Sequence, residues 1–401
     1  MKPSCVHCRM LRGARAWLSS PGGVMSWSRL VPGLRRRLNR PPLTDLTKVS
    51  RLGVLRPDGM GDIVLTTGML RELRQQLPAT RITFICQSQW AQWMRTCPWI
   101  DDVVSVEVTS PSERFREARQ LLELSRFMKR VWPLDLEVVV QPGTFRSYRS
   151  SRALAWFSGA PVRLCWEDPA AGVDTGGQLH THSLPYPNSW HQTDKCFRLL
   201  EVMGVEARTG HLATWWTSDD ELLGEETARQ TRKGRQYLIA LGLAASLPSK
   251  RWPRERYVEV IRRVVDSHDA TFLALGGPDV ADTCRWMAAQ VPNAVTYAGE
   301  RLPLGAIWAS IARCDLYLGN DTGFMHMAAA AHIPVVAVVG IPEGAGGGPD
   351  DLLPTGPYDT VSRVVRPPAG AADRNEKNAA LVSVDAVAKA TLELLELLDN
   401  Q

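Results

Sequence analysis

Leu316-Tyr317-Leu318-Gly319-Asn320-Asp321-Thr322-Gly323-Phe324-Met325-His326-Met327-Ala328-Ala329-Ala330-Ala331 reads as a buried strand, a tight polar turn and a helix of small residues. A short apolar run that ends in a turn fits a strand of a parallel sheet. Ala328 to Ala331 let the helix lie close to that sheet. Its first turn offers backbone amides near Thr322, Gly323 and Phe324, a ready anion site. On their own, Asp321 fits a helix cap and His326 an ordinary first-turn residue. A second turn of the same design lies upstream, at Leu55-Arg56-Pro57-Asp58-Gly59-Met60-Gly61-Asp62-Ile63-Val64-Leu65-Thr66-Thr67. There Gly59 and Gly61 admit close approach to the backbone. Asp62 then opens a helix, either as its cap or as a carboxylate able to take a proton from a hydroxyl. Two such turns in one chain are harder to dismiss than either alone.

Outward from these turns, strand-like and helix-like segments alternate. Arg51–Arg56, Arg81–Cys86, Val103–Val108, Leu134–Val140 and Pro161–Cys165 are strand-like. Helical spacing runs from Ile63 to Leu77, where Pro78 stops it, and over Ser112–Val131, Tyr148–Ser158 and Thr193–Met203. Residues 166–190 read as a loop, and the charged stretch Thr217–Gly234 as a linker. The alternation then restarts with strands at Gln236–Gly242, Thr271–Leu275, Asp315–Leu318 and Pro334–Val339. Helices fall at Arg254–Asp266, Val280–Gln290, Leu304–Arg313 and Gly323–Ala331. The final helix, Val384–Leu398, is amphipathic. The pattern predicts an α/β chain of two doubly wound domains with parallel sheets. The expected boundaries are a basic leader over 1–50, an N-terminal domain over 51–216 and a linker over 217–235. A C-terminal domain follows over 236–382, and residues 383–401 form a last helix.

The length of 401 residues suits two domains, and 44% apolar with 22% charged residues is globular composition. No apolar run reaches the ~18 residues of a membrane span. Residues 1–56 hold 12 Lys/Arg against one acid, Asp45. The rest, with 35 basic and 41 acidic residues, is mildly acidic. That balance argues against a nucleic-acid partner. The leader is a solvated tail or a membrane-docking segment over residues 25–40, with Trp27, Leu30, Val31 and Leu34 beside Arg35–Arg37 at a lipid interface. Residues 1–24 lack a secretory h-region, and Met25 is an alternative start. The eight Cys are scattered through apolar segments and fit a reducing, cytoplasmic compartment. Cys5-Val6-His7-Cys8 has half of a zinc-site spacing and no second pair to complete it.

Two further segments follow strands of the second domain. Ser246-Leu247-Pro248-Ser249-Lys250-Arg251-Trp252-Pro253 places Lys250 and Arg251 at a strand's carboxyl end, where phosphates bind. A solvated basic loop with Trp252 packed on the core is the plain alternative. Ala274-Leu275-Gly276-Gly277-Pro278 is a strand-ending turn, or a close backbone approach to a nucleotide.

Asp-Gly-Met-Gly-Asp at 58–62 with its Thr-Thr, Lys250-Arg251-Trp252-Pro253, Gly276-Gly277-Pro278 and Asn320-Asp321-Thr322-Gly323 with His326 together resemble glycosyltransferase family nine. These are the ADP-heptose:lipopolysaccharide heptosyltransferases and their relatives, and the order matches over roughly residues 51–398. The resemblance implies a GT-B fold of two facing Rossmann-like domains. The acceptor glycolipid would lie on the first, the nucleotide-sugar donor on the second, and the last helix would return toward the first. It also implies an inverting, metal-independent transfer with no cofactor. The donor, as substrate, would be ADP-L-glycero-D-manno-heptose. Asp62 becomes the general base. Lys250, Asp321, Thr322, Gly323 and His326 become the donor diphosphate and sugar site, and Trp252, Gly276 and Gly277 the nucleotide pocket. Gly59, Gly61, Arg149 and His191 fall on the acceptor side.

The implied location is cytoplasmic, at the inner face of the membrane. The sequence departs from the family pattern in its long leader and in the Gly-rich stretch Ile341–Leu353. A relative using another nucleotide sugar or acceptor, and a two-domain nucleotide binder without catalysis, are the alternatives. A dinucleotide-binding dehydrogenase is disfavoured, because the first turn lacks the third Gly of G-x-G-x-x-G and its Asp repels a pyrophosphate.

Overall fold

The computed structural model describes residues 32–107, 116–143, 148–167, 179–187, 189–277, 280–297, 302–344, 353–371 and 378–400. The chain divides into two compact units. The first holds residues up to Asp58, Met69–Pro187 and Lys195–Arg208. The second holds Gly59–Gly68, Asn188–Asp194 and Thr209–Gln401.

The first unit contains six strands: β1 (Arg51–Leu55), β2 (Arg81–Gln87), β3 (Asp102–Val106), β4 (Val138–Gln141), β5 (Val162–Trp166) and β6 (His182–Leu184). They pair in the order β3-β2-β1-β4-β5-β6, all parallel. β4 and β5 are buried at every position, as expected for a parallel sheet covered on both faces. Residues 166–190, expected as loop, therefore contribute β6 as an edge strand. Only its three residues pair with β5, too short a run to show a period in sequence.

The second unit repeats the plan with β7 (Tyr237–Gly242), β8 (Ala270–Leu275), β9 (Val295–Tyr297), β10 (Leu316–Asn320), β11 (Val335–Val338) and β12 (Ser362–Val365). The order is β12-β11-β10-β7-β8-β9, again parallel throughout. Its strand order reverses between β7 and β10, the place where doubly wound sheets bind ligands. Gly242 of β7 is the cross-strand partner of Gly319 of β10. Both lie under the Tyr317 phenol, whose Oη would sit 1.9 Å from a Cβ on Gly242 and 2.6 Å from one on Gly319. The glycines make room for a phenol at the switch point.

The stretch read as a linker over 217–235, with partial helix allowed, holds the helix Ser218–Arg232. Thr217 caps it and Asp220 bonds back to the Thr217 amide at 3.1 Å. Glu221 pairs with Arg313, and the Ser310 hydroxyl donates to the Gly224 carbonyl at 3.4 Å. The charges that read as a linker are a capping box and a solvent face. The last helix, Val384–Asp399, packs Val387, Leu394 and Leu395 into the second unit's core with Leu318, Val336 and Val338. The amphipathic pattern was right, but it does not name the surface that its apolar face covers.

The leader is also not wholly a tail. Pro32–Leu38 is a helix, and Leu34, expected at a lipid interface, is fully buried in the first unit's core with Leu55, Phe127 and Trp156. Arg37 and Arg40 both bond the Asp135 carboxylate, at 2.9 and 2.6 Å. Residues 25–31 and the Cys5–Cys8 pair lie outside the described residues. Among the described residues no helix is long and apolar enough to cross a membrane. We expect Leu34→Ala to cost about 2–5 kcal/mol in urea unfolding. A detached leader would leave the midpoint unchanged.

Candidate functional site

The two Gly-rich turns meet inside the second unit. The first forms the short helix Met60–Val64, and the second the helix Gly323–Ala330. They approach so closely that a Cβ on Gly61 would stand 2.7 Å from His326 Cδ2 and 3.4 Å from the Gly323 Cα. A Cβ on Gly323 would stand 3.1 Å from the Gly61 amide. Any side chain at either position must push the helices apart.

This contact brings Asp62 to the N-terminal end of the Gly323 helix. Asp62 is the third residue of its own helix, not the cap, and its Oδ2 accepts from the Gly59 amide at 3.2 Å. The carboxylate closes a helix end from the third position and stands half-buried. Thr66 donates its hydroxyl to the Asp62 carbonyl at 2.8 Å.

Lys250 follows β7 through the 3-10 turn Pro248–Lys250, and Asp321 follows β10. Their ion pair therefore spans the switch point, with Nζ–Oδ2 at 2.6 Å and side chains only 16% and 12% exposed. Asp321 leads into Thr322, the N-cap of the Gly323 helix, whose side chain makes no cap bond to that helix. The Thr322 hydroxyl instead lies 3.4 Å from Tyr317 Oη. Burial pushes the Tyr317 phenol well above its ordinary range, so it stays neutral beside Asp321.

His326 sits one turn into the helix and is 4% exposed. Burial holds its pKa below the ordinary imidazole value. Asp321 and Asp62 act in the opposite sense, and the Lys250 charge adds to the lowering. The ring is thus neutral at pH 7 and senses all three charged groups of the site. No hydrogen-bond partner of its buried Nδ1 is found among the described residues.

The structure thus brings together Asp62, Gly59, Gly61, Lys250, Asp321, Thr322, Gly323 and His326. The other expected residues fare differently. Trp252 is buried, and both its N–H groups are used within the protein. Its amide donates to Asn320 Oδ1 at 3.0 Å and its indole to the Val382 carbonyl at 3.0 Å. Its ring meets Tyr257 edge-on at 4.7 Å. It is a core residue behind the site and offers no face to a nucleotide.

Gly276 ends β8 beside β7, packed under Val280, and its carbonyl accepts from Tyr297 Oη at 3.4 Å. Gly277 is half-buried and Pro278 lies outside the described residues. His191 accepts from the Thr193 amide at Nδ1 (3.1 Å), and its Nε2 reaches the Gly356 carbonyl at 3.1 Å. Its ring stacks on Tyr358 at 4.7 Å. This pins the 189–194 segment to the 353–358 loop. Arg149 lies on the helix Tyr148–Phe157 of the first unit, but its side chain is outside the described residues, as are residues 345–352 of the Gly-rich stretch.

Residues 139–352 match the family model described as glycosyltransferase family 9 (heptosyltransferase), more than half of the chain. The chain belongs to glycosyltransferase family 9. A Pseudomonas aeruginosa protein named lipopolysaccharide heptosyltransferase 1 is 21% identical over 298 residues, 72% of this chain and 78% of that protein. Among solved structures, a family 9 glycosyl transferase from Veillonella parvula superposes with a TM-score of 0.67 at 21% identity, covering 87% of this chain and 97% of that one. The Escherichia coli heptosyltransferase WaaC with ADP gives 0.62 at 17% identity over 86% of this chain and 98% of that one. The two parallel six-stranded units therefore carry the GT-B fold of the family, and the chain is a glycosyltransferase. The Asp58–Asp62 turn lies upstream of the matched residues, so its place in the site rests on the geometry above.

Asn320, Tyr257 and Tyr317 were not foreseen as parts of the site. Asn320 stood in the quoted turn, yet its neighbours Asp321 and Thr322 drew the chemistry. Tyr257 lies within the expected helix Arg254–Asp266, with nothing local to mark it as part of the site.

Two outcomes follow from the packing and from His326. Gly61→Ala is expected to cost about 1–3 kcal/mol of stability by forcing the helices apart and to lower turnover with it. For His326, a folded pKa below 6.5 means that the unfolded chain binds the proton first as pH falls. The histidine's contribution is therefore complete above pH 6.5 and is lost below it, with a slope of at most ~1.4 kcal/mol per pH unit. Urea unfolding from pH 7.5 to 5.5 should show this loss in the wild type and a flatter profile in His326→Gln.

Proposed function

We propose that this glycosyltransferase moves a heptose from an ADP-sugar onto a lipopolysaccharide core or similar glycan, with inversion and without a metal. The observation that carries the reading is the gathering of a carboxylate, Asp62, and a cation, Lys250, at one helix N-terminus by the contact of Gly61 with His326 and Gly323. The named activities of the relatives, and the ADP in the Escherichia coli heptosyltransferase, support the choice of donor and acceptor.

In this reading Asp62 accepts the proton of the acceptor hydroxyl as its oxygen attacks the anomeric carbon. The bond from that carbon to the diphosphate oxygen breaks on the opposite face, and its electron pair leaves with the nucleoside diphosphate. Lys250 and the amides of the Gly323 helix stabilise the charge that develops there. An ammonium has three donors, and Asp321 takes one in the structure. His326 stays neutral and so adds no competing charge. Among the described residues six cysteines are buried free thiols, with burial raising those of Cys86 and Cys97 to about 12, which supports a reducing, cytoplasmic location. A family 9 relative with another donor or acceptor is the second reading, favoured by the low identity, 21%, to the named heptosyltransferase.

Asp62→Asn and Lys250→Ala should keep the wild-type circular dichroism spectrum and lose about 10²–10³ in kcat. Normal turnover in Asp62→Asn removes the base assignment. Incubation with ADP-heptose, UDP-sugars and GDP-sugars, read by mass spectrometry of the lipid acceptor, decides the donor. Transfer from a UDP- or GDP-sugar alone selects the second reading.

A further inference from the structure

Asn320 is the last residue of β10 and is fully buried. Its carboxamide reaches three segments of chain. Oδ1 accepts from the Trp252 amide at 3.0 Å and from Tyr257 Oη at 2.9 Å. Nδ2 donates to the Leu243 carbonyl at 2.9 Å and the Ala244 carbonyl at 3.4 Å. An amide side chain has two donors and two acceptor lone pairs, and all four are engaged. The orientation is fixed by chemistry, because a backbone amide can only donate and a backbone carbonyl only accept. No other side chain of this size supplies two donors and two acceptors in that arrangement.

These contacts sit on either side of the Lys250–Asp321 pair. Lys250 is two residues before Trp252, and Asp321 is the residue after Asn320. The strand exit at Leu243–Ala244 begins the loop that carries Lys250. The Tyr317 hydroxyl donates to the Asn320 carbonyl at 3.2 Å and lies 3.4 Å from Thr322 Oγ1. One buried carboxamide therefore ties the loop bearing the cation to the turn that opens the Gly323 helix.

We propose that Asn320 is a positioning residue. It fixes the separation between the Lys250 ammonium and the amides of the Gly323 helix, so that one diphosphate meets both. The inference rests on the reading of Lys250 as the group that faces the leaving diphosphate, and it assigns Asn320 no contact with substrate.

The test is a double-mutant cycle with ADP as the probe, using Kd by calorimetry and donor kcat/KM, on wild type, Lys250→Ala, Asn320→Ala and the double variant. A residue that acts through Lys250 loses its effect when Lys250 is gone. We expect Asn320→Ala to weaken ADP binding about tenfold in the wild-type background and less than about threefold in the Lys250→Ala background. Tyr257→Phe removes one donor to Oδ1 without opening a large cavity, should show a smaller loss with the same coupling, and carries the cycle if Asn320→Ala does not fold.

Losses that multiply, with Asn320→Ala or Tyr257→Phe costing the same factor in both backgrounds, overturn the inference while leaving Lys250's role intact. Full ADP affinity and turnover in Lys250→Ala, or a wild type that does not bind ADP, defeats the underlying donor reading and this inference with it.

Discussion

The site depends on the near contact of two backbones at Gly61 and Gly323. Neither position has room for a Cβ, since one on Gly61 would overlap the His326 ring and one on Gly323 would crowd the Gly61 amide. This closeness makes Asp62 part of the second unit, although β1 just upstream belongs to the first. A carboxylate, a histidine and a helix N-terminus from distant parts of the sequence then act on one another over short range. A few ångströms of separation would let water between them and weaken each of these interactions.

Around that contact the charged groups are held by a polar frame that is itself buried. Lys250 and Asp321 offset each other's charge. A buried ion pair contributes little net stability and is costly to break, so its value lies in fixing geometry. Asn320 and Tyr317, with Gly242 and Gly319 making room for the phenol, supply the hydrogen bonds that keep the two sides of the pair in register. Buried polar groups tolerate few arrangements because each unmade bond costs about 1–3 kcal/mol. That intolerance fixes the geometry of the strand ends at the switch point.

Elsewhere the chain uses the same residue types for stability alone. The Thr217–Asp220 capping box, the Arg37 and Arg40 bonds to Asp135, and the His191–Tyr358 stack all hold segments in place. Each looked like a linker, a lipid-facing patch or an acceptor contact in the sequence. Local sequence shows a charge or an amphipathic stripe, but not what lies opposite it. Leu34 and Leu394 face protein cores for the same reason that they looked available for other surfaces: they are apolar.

The sequence by itself determined the α/β class, most of the strands from Arg51 to Val338 (the short edge strands β6 and β9 excepted) and the two Gly-rich turns. These are legible because strand burial, helix period and turn chemistry are local. Only the tertiary structure decided that Asp62 lies beside His326 and the Gly323 helix, that Trp252 faces the core, that His191 clamps two segments, and that Asn320 bonds the chain on either side of Lys250. Each of those depends on a contact across many residues of chain, and through-space distance leaves no mark in the spacing of one sequence.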